Sequence, residues 1–166
     1  MLTKMLPRVL MLLCAVSFSA LAEPPLFSQY MIKDVYGGSV HSLVNKDTGS
    51  QWDGIRKDAI KGSVNFAGHY IVYTGGCGGS SICGEVIDAK TGEVIKTLPN
   101  AYKGEDEETG KPFDIEYHVD SSLIVIMGVT ENKELGVDGN KVSHKYRTRY
   151  YDFDGKEFHL IMSEDE

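Results

Sequence analysis

Apolar positions in this chain alternate with polar ones more often than they recur at helical spacing. Phe66, Gly68, Tyr70 and Val72 interleave with Ala67, His69, Ile71 and Tyr73, and both sets contain apolar members. The pattern predicts a strand from Val64 onward, central in its sheet and covered on both faces. Leu123 to Met127 is a continuous apolar run, so a second deeply buried strand is expected there. Glu85–Asp88 and Glu93–Leu98 flank a Gly-containing turn and read as a hairpin, as do Phe113–Val119 and Leu123–Val129 around Asp120-Ser121-Ser122. Ser28–Tyr36, Val40–Val44, Val142–Phe153 and Glu157–Met162 are further strand candidates. One stretch departs from this. Trp52, Ile55, Ala59 and Ile60 recur at i, i+3, i+7 and i+8, which predicts an amphipathic helix, with Ser50 near its N-cap and Gly62 just past its end.

The polar segments fill the remaining positions. Asn45 to Gly49 has turn chemistry. Lys103–Pro112, with Glu105-Asp106-Glu107-Glu108, has no apolar residue and predicts a solvated loop; it lacks the spaced ligands of an EF-hand. On the strand expected at 142–153, Lys145, Arg147 and Arg149 share one face, read as solvated, and Tyr146, Thr148 and Tyr150 share the other. The acidic tail from Ser163 is expected to fray. The resulting fold class is mainly β (α+β): an antiparallel β-meander, small sandwich or partial propeller with one packed helix.

The N-terminus changes the picture of where this fold works. Lys4 and Arg8 precede an apolar run from Val9 to Ala20, and Ala20-Leu21-Ala22 supplies small residues for cleavage. Residues 1–22 therefore read as a secretory signal peptide, and 23–166 as a single domain. The run of about 12 residues is too short to span a bilayer, and Cys14 would leave with it. No membrane insertion is expected after cleavage. Loss of Lys4 and Arg8 from 17 basic residues leaves fifteen against 24 acidic ones, a net charge of −9. An acidic balance excludes general nucleic-acid binding, which needs a basic face.

Export also fixes the expected state of the cysteines. Cys77 and Cys83 lie in Gly75-Gly76-Cys77-Gly78-Gly79-Ser80-Ser81-Ile82-Cys83-Gly84, a segment that bends easily. In an oxidising compartment a disulfide is expected. The C-x5-C spacing is not that of a C-x-x-C redox motif, two cysteines with His69 fall short of a zinc site, and a disulfide leaves no thiolate nucleophile. No metal or cofactor is predicted.

Asn65-Phe66-Ala67-Gly68-His69-Tyr70, followed by Gly76-Cys77-Gly78, Cys83 and the turn Ile87-Asp88-Ala89-Lys90-Thr91-Gly92-Glu93-Val94, carries a resemblance. It resembles a broad family of small exported bacterial proteins of uncharacterised function, with an N-F-A-G-H-Y segment running into a G-C-G-x-x-C loop. The resemblance covers about two thirds of the exported chain and implies export and a stapled β-fold. The chain departs from it in its longer cysteine loop and in Gly75, which stands near a common tryptophan position. The resemblance implies no catalytic role.

Three function classes remain open. The first is a periplasmic or secreted binding protein without enzymatic activity, an inhibitor or immunity protein. It would block a basic cell-wall hydrolase or toxin through a loop containing Gly76, Gly78, Gly79, Ser80, Ser81 and Ile82. The disulfide would pre-order that loop, and the negative charge would steer it to a basic protein partner. The second is a hydrolase-type enzyme using His69 as base, Ser80 or Ser81 as nucleophile and Asp88 or Glu85 as orienting acid. The third is a glycan or small-molecule binder using tyrosine or Trp52 faces.

Overall fold

The alternating segments assemble into eight strands in two antiparallel sheets, seen in a computed structural model that describes residues 23–44 and 47–165. The expected signal segment 1–22 with Cys14, residues 45–46 of the first turn, and Glu166 lie outside the described residues. In the first sheet β1 (Tyr70–Gly78), β2 (Ser81–Asp88) and β3 (Glu93–Thr97) form a meander, and the short β4 (Tyr102–Lys103) pairs with the start of β2. In the second, β5 (Asp114–Tyr117), β6 (Leu123–Gly128), β7 (Arg147–Phe153) and β8 (Phe158–Asp165) follow in order. One short helix, α1 (Asp53–Ala59), completes a mainly β, α+β architecture, open rather than closed into a barrel.

The period-2 pattern explains why two cores form. Tyr70 and Val72 of β1 and Val86 of β2 face the second sheet, where they meet Ile124, Ile126, Tyr151 and Phe153. Ile71 and Ile87 point the other way and pack under Leu43 and Ala89, with Tyr36, Val40, Ala59 and Ile60 closing over them. The first sheet is thus apolar on both sides, as the double alternation predicted. The helix follows its predicted stripe. Ile55 lies over Gly75, where an added Cβ would sit 2.8 Å from its Cδ1. Trp52 occupies the N-cap position rather than Ser50, whose hydroxyl accepts from the Trp52 amide at 3.1 Å. Gly62 donates to the Ala59 carbonyl just past the helix.

Several expectations need correction. Ser28–Tyr36 and Val40–Val44 are not strands; a 3-10 turn at Phe27–Gln29 and an extended segment replace them. That segment bonds to turns, as in His41 N to Ala89 O (2.9 Å) and Val44 N to Gly92 O (3.1 Å), and turns offer isolated bonds rather than a ladder. β1 begins only at Tyr70, because Ala67 (φ 42°) and Gly68 (φ 82°) bend the chain in the left-handed region. β1 is also an edge strand, paired to β2 alone, and not central. β7 begins at Arg147 rather than 142, and the tail expected to fray continues β8 to Asp165, paired with Arg147.

Arg147 and Arg149 do not line a solvated face. Both lie on the inner face of β7, and Arg149 is only 1% exposed. Its guanidinium grips Glu134 with two bonds (2.7 and 2.6 Å), donates to the carbonyls of Gly128 and Arg147 at 2.9 Å, and lies over the Tyr102 ring. Arg147 pairs with Asp165. Alternation placed these cations on one face, but the carboxylates that make burial tolerable come from Glu134 and Asp165, remote in sequence.

Candidate functional site

The stapled loop is the tip of the β1–β2 hairpin. Gly78 pairs with Ser81, leaving Gly79 and Ser80 as the two central turn residues, with φ of 56° and 69°. Positive φ at both positions is the type I′ pattern, whose twist matches that of the flanking strands. Glycine adopts it freely; Ser80 accepts the steric cost of about 1 kcal/mol. Cys77 is the extra residue of a bulge between Gly76 and Gly78. Cys77 and Cys83 form a disulfide across the hairpin, with Cα atoms 5.7 Å apart.

Gly76, Gly78, Gly79 and Ser80 are exposed, while Cys77, Ser81, Ile82 and Cys83 are half-buried. The tip does not project as a free finger. β4 pairs along its β2 side, matching Ser81 with Lys103 and Ile82 with Tyr102, and the Gly104 amide donates to the Ser80 carbonyl at 3.0 Å. Residues 129–131 then run beside β4, through Lys103 N to Val129 O and Glu131 N to Ala101 O, both 2.8 Å. The Ser81 hydroxyl donates to Glu131 at 2.5 Å. Three segments distant in sequence therefore meet at one end of the molecule.

Between them lies an open depression of about 470 Å³, lined by Gly79, Ser80, Lys103, Gly104, Glu105, Glu107 and Glu131. Its one cation, Lys103, is tied to Glu107 at 2.9 Å. That hydrogen bond holds the Glu107 carboxyl below the usual carboxylate range and raises the Lys103 ammonium. Three carboxylates against one amine leave the wall acidic. The acidic run at 105–108, read from sequence as a separate solvated loop, thus borders the stapled tip. Sequence reasoning missed Glu131 and Lys103 altogether, because the pairing of β4 with β2 that brings them in has no local signature.

The residues considered for hydrolysis do not converge. β1 separates His69 from the tip by about 26 Å at the usual rise per residue. His69 lies instead beside Asp88, with Nε2 to Oδ2 at 3.8 Å, and its ring packs on Tyr70. Burial lowers its pKa from the ordinary 6.5, opposed by Asp88 and assisted by Lys90. Glu85, the other acid considered, is buried and engaged by Arg56 (2.9 and 2.7 Å) and the Tyr73 hydroxyl. Glu85 thus ties α1 to the sheet, beside a second depression of about 350 Å³ that includes Trp52, Cys83 and Asn100. The remaining four histidines are dispersed: His41 donates its amide to the Ala89 carbonyl, His118 stacks on Phe27, His144 bonds the Thr130 carbonyl, and His159 pairs with Asp154.

Among the described residues, no three His, Cys, Asp or Glu side chains gather where they could hold a metal ion, and no helix is long and apolar enough to cross a membrane. Compared with protein families, curated proteins and solved structures, the chain matches none.

Proposed function

We propose that this is an exported binding protein, periplasmic or secreted, that blocks a basic envelope protein such as a cell-wall hydrolase or a toxin through its 75–84 loop. The observation that carries the reading is the coincidence of two features at one end: a disulfide-stapled, exposed hairpin tip and an acidic wall from Glu105, Glu107 and Glu131. The staple and the flanking β4 hold Gly78 to Ser81 in one conformation before any partner arrives. Little ordering entropy is then lost on docking. The carboxylates add charge complementarity, which raises encounter rates with a basic surface and makes them salt-dependent. The Cys77–Cys83 disulfide is compatible with the export part of this reading.

The test is capture of partners from an envelope extract with the oxidised protein and with Ser80→Tyr, Ser81→Tyr and His69→Ala. The reading expects a basic protein on the unaltered bait and on His69→Ala, lost from both tip variants, while thermal unfolding shows all four proteins folded. Capture that survives the tip variants, or turnover that disappears with His69→Ala, overturns it.

A further inference from the structure

We infer that the outer half of β1, from Thr74 to Gly76, accepts an added β-strand from an extended, basic segment of the protein partner. This rests on the binding-protein reading and assigns its mode of docking.

The phase of the ladder shows which backbone groups are open. The Asn65 side chain bonds both the amide (2.8 Å) and the carbonyl (3.0 Å) of Val72, so both point away from β2. Antiparallel pairing alternates, so Thr74 and Gly76 point their amides and carbonyls outward as well. Their partners are Gly84 and Ile82. The Gly84 carbonyl confirms the phase, since it accepts from Leu98 on the far side of β2 at 2.8 Å. Among the described residues, no hydrogen bond from outside the β1–β2 ladder reaches Thr74 or Gly76. Two donors and two acceptors are left along one short edge.

The other edges carry the devices that prevent such pairing. β8 has a bulge opposite Tyr150 and Tyr151 and ends on Glu164 and Asp165. β3 has a bulge opposite Val86 and Ile87 and carries Lys96. β5 spans only Asp114–Tyr117, with Asp114 and Glu116 exposed. On β1 the Asn65 side chain seals Val72, and the Cys77 bulge ends the open stretch. Between them stand Thr74, Gly75 and Gly76, with no charged or bulky side chain. A Cβ added to Gly76 would meet nothing within 4 Å, so the sheet face is open at that residue. The disulfide fixes this stretch in advance.

A second copy of the chain does not suit the edge. The protein is strongly acidic, so two copies repel. A basic strand has the opposite charge, and the acidic depression lies about two strand spacings, roughly 10 Å, across the same hairpin.

The probe is a decapeptide alternating threonine and lysine, compared with a counterpart N-methylated on the residues whose amides would face β1. Both are titrated into the oxidised exported protein, with backbone amides followed by nuclear magnetic resonance. The proposal expects the plain peptide to slow exchange of the outward Thr74 and Gly76 amides at least about tenfold. It also expects the methylated peptide to bind at least about tenfold more weakly. Gly76→Pro, which removes one outward donor, should weaken the plain peptide similarly. The peptide comparison uses the unaltered chain, so it stands even if that variant fails to fold. Equal binding of both peptides, or of neither, overturns the edge proposal. Shifts confined to Ser80, Gly104 and Glu131 also overturn it, while leaving the tip reading intact.

Discussion

Arg149 and Glu134 set the cost of building this fold at the level of single residues. A buried guanidinium must keep its carboxylate, because removing one partner strands a charge in the interior. Glu134→Ala should therefore lower stability by about 3–5 kcal/mol in urea unfolding. Replacing both, as Arg149→Met with Glu134→Leu, should cost far less, since neither charge is then stranded. The histidines give a second test at this scale. The hydrogen bond that the His159 ring donates to Asp154 raises the His159 pKa, whereas burial lowers that of His69. In a nuclear magnetic resonance titration His159 should protonate above pH 6.5 and His69 below it. The signs for stability follow. The His159 contribution is complete below 6.5 and fades as pH rises through its raised value. The His69 effect runs the other way: stability declines as pH drops below 6.5, because the unfolded ring takes up a proton that the folded one resists. A single shared pKa for the two rings would contradict both environments.

The hairpin and the segment laid over it decide what holds together at the level of elements. Closing the short Cys77–Cys83 loop is worth about 2 kcal/mol in the chain-entropy treatment, so reduction should lower stability by about that much without unfolding the protein. Gly92 matters differently. It has φ of 76°, and an added Cβ would fall 2.0 Å from the Ser42 carbonyl oxygen. Gly92→Ala should cost at least about 2 kcal/mol and loosen residues 40–44, read as faster amide exchange at His41 and Val44. These elements also show what the sequence could and could not convey. The apolar run at Leu123 to Met127 and the stripe from Trp52 to Ile60 are local signals that gave the correct element type, whereas the alternation from Phe66 to Tyr73 gave a strand only from Tyr70, after the turn at Ala67 and Gly68. The pair Cys77 and Cys83 was likewise legible, because a short spacing through Gly and Ser is a local signal. What failed was non-local. Nothing near Arg149 announces Glu134, and nothing in Lys103–Pro112 announces that β4 draws its acids beside Ser80. The edge position of β1 was hidden for the same reason, since two apolar faces do not reveal how many neighbours a strand has.

At the scale of the whole molecule, the fold sorts its groups between two ends. His69, Asp88, Asp154 and His159 lie toward the end where β1 begins and β2 closes; the stapled tip, β4 and Glu131 lie at the other. The binding reading depends on the second end alone, and it makes the acidic wall, together with the rigid tip, responsible for affinity. The most direct measurement is therefore the dissociation constant for the captured basic partner, taken at low and high salt. It compares the unaltered protein with a variant carrying Glu105→Gln, Glu107→Gln and Glu131→Gln. We expect the variant to bind at least about tenfold more weakly at low salt and to lose most of its salt dependence. An unchanged constant with an unchanged salt response would contradict the account.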